Sequence, residues 1–206
     1  MLTMEANMTK RKSKETRKEE ILEAAMKCFS KKGYHGTRMD DIIKVSGLSK
    51  GAIYWYFKGK RDIFIFLIEQ HLQKDNMLWE NLSKEYELEP EFLIIAGLAY
   101  LKIHFEDKKL SPFFAEFIAE SYRDKQIQKK LHNVYKGWID KITRAFDLAI
   151  KKEKMKSFDT ESLSVSLVAL IQGLVEMNTI FKKKLNYEKI WETFAKVLLQ
   201  GIQKEN

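Results

Sequence analysis

The sequence predicts an all-α protein of about nine helices, and three observations carry that prediction. Apolar residues recur at three- and four-residue spacing along most of the 206 residues, no strand-like alternation persists for a convincing length, and only two prolines, Pro90 and Pro112, occur. The expected helices lie near 17–32, 38–45, 49–56, 60–85, 90–106, 112–123, 125–152, 159–182 and 186–204. The first gathers Ile21, Ala24, Ala25, Cys28 and Phe29 on one face. Thr37, with Asp40 three residues on, predicts a capping-box start to the second, whose stripe of Met39, Ile42, Ile43 and Val45 stops at Ser46-Gly47. Ser49 starts the third. Five of the nine glycines fall in the first 60 residues, so short helices and tight turns crowd there. Beyond them the helices lengthen. Pro90 opens the fifth, and Ser111-Pro112 reads as an N-cap followed by proline at the first position of the sixth. No internal repeat is visible.

A hydrophobic content of 45% is normal for a globular core, and the length allows one small and one medium domain. Charge is distributed unevenly. Residues 1–60 carry fourteen Lys and Arg against seven Asp and Glu, whereas residues 61–206 carry twenty-three against twenty-two. Basic charge confined to one third of the chain is what a protein needs if that third faces phosphate. The single cysteine, Cys28, excludes an internal disulfide and lies in register with the apolar face of the first helix, so a packed, inert thiol is expected over a redox sensor. No stretch approaches the roughly 20 apolar residues of a membrane helix, and MLTMEANMTKRKSK lacks the apolar centre of a signal peptide. A cytoplasmic protein without membrane association is therefore expected.

Between Thr37 and Lys60, TRMDDIIKVSGLSKGAIYWYFKGK reads as two short helices about a glycine turn, closed by an aromatic and basic cluster. A helix-turn-helix needs this order: one helix braces on the DNA backbone, the turn holds the crossing angle, and the second enters the major groove. The stretch resembles the DNA-binding domain of the TetR family of bacterial one-component transcriptional regulators. Upstream, ILEAAMKCFSKKGYHGTRMDDI fits that family's first helix, with Ala24, Ala25, Phe29, Gly33, Gly36, Thr37 and Ile42 in the expected positions. Downstream, GLSKGAIYWYFKGKRDIF fits the second helix, the recognition helix and the start of the fourth. The resemblance covers roughly residues 17–72; the rest is similar to the family only in length and helical character. It implies an N-terminal three-helix helix-turn-helix domain joined by a fourth helix to a C-terminal helical domain for ligand binding and dimerisation. The corresponding divisions are a basic flexible tail at 1–14, the DNA-binding domain at 15–75 and the effector and dimerisation domain at 76–206.

Each residue of the recognition helix has a DNA role and a competing structural one. Ser49 and the amides of Lys50 and Gly51 form a helix N-terminus suited to phosphate, while Gly51 also suits close backbone approach or simple turn geometry. Lys50, Ala52 and Tyr54 point toward the groove, where a lysine meets guanine acceptors and a methyl or ring edge meets thymine. The resemblance implies DNA contacts for Tyr54 and Tyr56, against packing; Trp55 suits either, and Ile53 with Phe57 form the expected buried pair. It also implies phosphate contacts for Thr37 and Lys60, with Arg38 beside them balanced between phosphate and solvent. Lys10, Arg11, Lys12 and Lys14 of the tail suit either a minor groove or plain solubility.

The remainder lacks a Gly-rich phosphate loop, a zinc-protease motif or paired cysteines, and its histidines are scattered, so no enzyme, metal or cofactor is expected. It is rich in aromatics. Phe92, Tyr100, Phe105, Phe113, Phe117, Tyr135 and Trp138 each suit core packing, yet together they suit the lining of a cavity for a lipophilic effector, which the resemblance implies among the middle helices. His104, Glu116, Glu120, Arg144, Gln172 and Asn178 are the polar candidates to orient it, with Met177 on its wall, and exposure on a solvated helix face is the competing reading of each polar one. In the last two helices Ser162, Ser166, Ala169 and Gly173 share a face beside an apolar flank, and Ile190, Trp191, Phe194, Val197, Leu198 and Ile202 form a broad stripe. The resemblance implies a homodimer through these two helices, against packing within one chain. The function so predicted is a DNA-binding repressor released from a pseudo-palindromic double-stranded operator by the effector. A ligand-independent DNA-architectural protein and an enzyme with a DNA-binding appendage are the alternatives.

Overall fold

The computed structural model describes residues 2–85, 90–181 and 185–203, with side chains at 14–84, 91–181 and 185–203. Among these, nine helices occur: α1 (Leu2–Gly36), α2 (Met39–Ser46), α3 (Lys50–Tyr56), α4 (Lys60–Glu85), α5 (Pro90–Glu106), α6 (Leu110–Ser121), α7 (Lys125–Lys151), α8 (Thr160–Ile180) and α9 (Tyr187–Ile202). Extended pairing among the described residues is one isolated bridge, Met155 with Gln203, that ties the α7–α8 link to the end of α9.

Three starts differ from the sequence reading. The helix of α1 begins at Leu2, so the segment expected as a flexible tail continues it; the side chains of Lys10, Arg11 and Lys12 lie outside the described residues. In α2 the cap is Arg38, whose N–H donates to Asp41 Oδ2 at 2.8 Å, one residue later than the Thr37 and Asp40 pair. Thr37 is instead drawn inward, its Oγ1 donating to Gly33 O at 2.8 Å. In α6 the helix starts at Leu110, and the Ser111 hydroxyl donates to His104 O at 3.0 Å rather than capping. Pro112 still sits in the first turn, where its missing N–H would have had no intrahelical partner.

The described side chains form two apolar clusters. The first joins Ile21, Ala25 and Phe29 of α1, Ile42 of α2, Ile53 of α3 and Phe64 of α4 to Leu110, Phe113 and Phe117 of α6. Phe64 meets Phe29 edge-on at 5.3 Å and Phe113 at 5.2 Å. The packing unit around the helix-turn-helix therefore takes in α6 as well as α1–α4, beyond the boundary placed near residue 75. Cys28 is buried within it, as its register predicts, and burial raises its pKa above 9.0. The second cluster packs Leu101 and Phe105 of α5 and Phe146 of α7 against Leu167 and Leu174 of α8 and Tyr187 and Trp191 of α9.

One helix, α8, is long and apolar enough to cross a membrane by length and composition, which corrects the expectation that no stretch is. Its inner face packs on α7, the most extensive helix pair among the described residues. Its outer face leaves Val165, Met177 and Ile180 exposed.

α5 and α9 cross in close contact because residue 97 has no side chain. A Cβ built at Gly97 would lie 2.1 Å from Cζ2 of Trp191, whose Nε1 donates to Ile94 O at 2.8 Å. Gly97→Ala should thus force the indole off that bond and cost about 1–3 kcal/mol, the usual penalty for overpacking. Urea unfolding of the variant beside the wild type measures it, and an unchanged midpoint would contradict the crossing.

Candidate DNA-binding face and effector cavity

The recognition helix is held by its buried side. Gly47 takes φ 69°, a left-handed conformation that ends α2 and donates its N–H to Ile43 O at 3.1 Å, and Ser49 Oγ then accepts from Ala52 N at 3.3 Å to start α3. Ile53 and Phe57 are buried, as the pattern predicts. The opposite side presents Lys50, Gly51, Tyr54 and Trp55 to solvent, with Ala52 and Tyr56 half-buried at its margin. Trp55 is 62% exposed, a large apolar surface left mostly to solvent. Lys14 Nζ lies 4.2 Å from its ring centroid, and Tyr56 packs against it edge-on at 4.6 Å.

Of the flanking residues expected on DNA, Arg38 is exposed and the other two are engaged internally. Thr37 is 1% exposed with its hydroxyl on Gly33 O. Lys60 Nζ donates to Tyr34 O at 2.8 Å and lies 4.5 Å from the Tyr34 ring centroid, and desolvation lowers its pKa from 10.5. Lys60 thereby ties the start of α4 to the end of α1.

A cavity of about 90 Å³ lies between α4, α5, α7, α8 and α9. Its wall is mainly apolar: Trp79 from α4, Tyr100 from α5, Trp138 from α7 and Trp191 from α9 supply ring surface, and Gln172 of α8 adds a neutral polar group. Asp75 of α4 and Lys141 of α7 are its acidic and basic members. Asp75 Oδ2 is sealed from solvent and accepts no hydrogen bond; burial raises this carboxyl to about 7, with Lys141 opposing. Burial also pushes the Tyr100 hydroxyl well above 10.0.

Residues 21–66 match the signature of bacterial regulatory proteins of the tetR family. The HTH-type transcriptional regulator QacR of Staphylococcus aureus is 24% identical across 91% of this chain and 98% of its own length. The helix-turn-helix segment thus matches the DNA-binding domain of the TetR family. Two solved structures share its fold: Bacillus subtilis FadR in complex with stearoyl-CoA, with a TM-score of 0.75 at 21% identity over 89% of this chain and 98% of that one, and SmeT in complex with triclosan, at 0.79 and 19% over 93% of each.

The residues expected around the effector separate into three groups. Tyr100, Trp138 and Gln172 meet in the cavity. Phe92, His104 and Tyr135 stand behind it, packed on Trp79 at 5.0 Å, Tyr100 at 4.2 Å and Trp138 at 5.7 Å. The rest lie elsewhere: Phe105 packs on Tyr187, Phe113 and Phe117 belong to the first cluster, and Met177 is exposed on α8. Glu116 and Glu120 face α1 rather than the cavity. Glu116 Oε2 accepts the Tyr34 N–H at 2.7 Å, and Glu120 Oε1 lies 2.7 Å from His35 Nε2 and 3.2 Å from Arg123 Nη1. The reason is Gly33, whose φ of 72° breaks α1 and turns the Tyr34 N–H outward to a carboxylate on α6. Sequence reading missed Asp75, Trp79, Lys141 and Trp191. A signal for Asp75 exists: it interrupts the apolar run of Leu72, Leu78, Trp79 and Leu82 on one face of α4.

Burial holds His71 and His104 at about 4 rather than 6.5, and neither ring nitrogen of His104 has a hydrogen-bond partner. Between those values the unfolded chain takes up protons that the folded chain refuses, so stability falls on acidification. Asp75 acts oppositely between 3.8 and about 7, because the folded chain keeps a proton that the unfolded chain releases. Two histidines against one carboxyl leave a net loss from pH 6.5 to pH 4 on the order of 3 kcal/mol. Urea titrations across that range measure it. His104→Phe, which keeps a ring against Tyr100, should nearly cancel the slope; an unchanged slope would place the titration elsewhere.

Proposed function

We propose that this protein is a cytoplasmic homodimeric transcriptional repressor that grips a pseudo-palindromic operator and releases it when a lipophilic small molecule fills the cavity. The observation that carries this reading is α4. A single helix, Lys60–Glu85, places Phe64 in the core beneath the recognition helix and Asp75 and Trp79 on the cavity wall. A ligand that favours one setting of α4 therefore favours one placement of the DNA-reading face, in proportion to its differential affinity for the two settings. The stearoyl-CoA bound by FadR and the triclosan bound by SmeT, both with large apolar parts, support an apolar effector here. The cavity also disfavours a ligand-independent architectural protein.

DNA binding should be sequence-specific and fall steeply with salt, since the basic first third displaces counterions while Lys50, Ala52 and Tyr54 reach base edges. Tyr54→Ala should lower the ratio of specific to nonspecific affinity roughly fivefold or more, and Lys50→Ala should also flatten the salt slope. Fluorescence anisotropy on operator and random duplexes reads both effects. Equal affinity for the two duplexes in the wild type would overturn the repressor.

The outer face of α8 and α9 supports pairing of two chains. A Cβ at Gly173 would meet nothing within 4 Å, and Val165 and Ile180 of α8 and Val197 of α9 are exposed. Two copies are also what a helix-turn-helix needs to read half-sites about one DNA turn apart or more, ~34 Å. Gly173→Arg should bring an unpaired charge to the seam and yield monomers by light scattering; a dimeric variant that binds operator normally would move the interface elsewhere.

A further inference from the structure

Asp75 departs from the rule that a buried polar group finds a partner. Its Oδ2 is sealed off without a hydrogen bond on the wall of an otherwise apolar cavity. The nearby cation does not satisfy it: Lys141 Nζ donates to Asn76 Oδ1 at 2.6 Å and lies 5.9 Å from the Trp79 ring centroid. The other polar members of the wall, Tyr100 and Gln172, are uncharged at neutral pH. Around the carboxyl stand the rings of Trp79, Tyr100, Trp138 and Trp191, whose π faces attract positive charge. A buried acceptor without a donor, walled by aromatic rings, suits one chemistry above others.

We propose that the effector of this cavity is a lipophilic organic cation bearing an N–H donor, a protonated amine or amidine on an apolar body, and that Asp75 recognises it. The proposal rests on the reading of the cavity as the effector site and adds the ligand's charge and the residue that selects it. An anionic ligand would be buried against this carboxylate, and a neutral one would leave the acceptor without a cation.

Recognition of this kind is coupled to a proton. Burial holds Asp75 as the acid up to about pH 7 in the empty cavity. Cation binding forms an N–H···O bond to the carboxylate, and the carboxyl proton leaves to solvent. The groups facing Asp75 do not change charge between pH 5.5 and 7.5: Lys141 on α7 is cationic, Tyr100 on α5 is neutral, and Gln172 and Trp191 do not titrate. His104, stacked behind Tyr100, titrates near 4.

The test uses three nearly isosteric probes, 2-phenylethylamine, 2-phenylethanol and phenylacetate, titrated into the full-length protein with tryptophan fluorescence as the readout. At pH 7.5 the amine should bind at least roughly tenfold tighter than either other probe, and Asp75→Asn should reduce that preference to less than about threefold. In the wild type, amine affinity should fall about tenfold or more from pH 7.5 to 5.5 while the alcohol's stays level. Calorimetry at pH 6.5 in buffers of different ionisation enthalpy should show proton release with the amine alone. These wild-type measurements do not depend on the variant folding. A preference for the alcohol or phenylacetate, a preference unchanged in Asp75→Asn, or amine binding without proton release would overturn the cation and leave the cavity as the effector site. No response to any probe would overturn the effector-site reading itself.

Discussion

The structure depends on how α6 seats against the end of α1. Gly33 breaks α1 in a left-handed turn, and the exposed Tyr34 N–H finds Glu116 on α6. A Cβ at residue 33 would stand 3.0 Å from Glu116 Oε1, so the glycine serves both the turn and the close approach of the carboxylate. From that anchor α6 sends Phe113 and Phe117 into the space between α1 and α4, where both become fully buried. Each such phenyl contributes roughly 1.5–3 kcal/mol on burial, more than the bond that positions it. Ser30 extends the same seam by donating to Lys109 O at 2.8 Å, and Arg61 of α4 reaches Asp124 at 2.8 Å. The core beneath the two short helices α2 and α3 is completed by a helix from the second half of the chain.

This arrangement gives the two halves shared parts instead of a hinge. α4 belongs to the first cluster through Phe64 and to the cavity through Trp79, and α6 belongs to the first cluster while its Ser111 hydroxyl holds the end of α5. A shift of α4 is resisted by the α6 seam as well as by cavity packing. The coupling between ligand and DNA that the proposed function requires would then be the difference between two packings, and about 1.4 kcal/mol of it would change operator affinity tenfold.

The helix order was legible in the sequence because apolar spacing and glycine turns are local. The recognition helix was legible for the same reason: Ile53 and Phe57 bury while Lys50 and Tyr54 remain outside, all within one short segment. The cavity was less so. Glu116 and Glu120 look like cavity residues on an aromatic helix, but their direction follows from the break at Gly33, more than eighty residues away. Thr37 and Lys60 match DNA-contacting positions, yet their side chains turn to backbone carbonyls that only the folded α1 presents. Trp79 and Trp191 reach the cavity through the packing of α4 and α9, which periodicity alone leaves open.

The crossing at Gly97 also decides which wall of the cavity gives way. Trp191 is clamped between the α5 backbone and its bond to Ile94 O, so a ligand pressing on it meets main chain. Across the cavity, Trp79 packs edge-on against Phe92 at 5.0 Å and Trp138 against Tyr100 at 5.4 Å, side chain on side chain rather than on main chain. If the cavity takes an effector as proposed, a molecule too large for the resting space would be accommodated toward α4 and α7. Under the proposed function, bulk at one end of the cavity would become displacement of α4, which backs the recognition helix through Phe64, with α9 serving as the anvil.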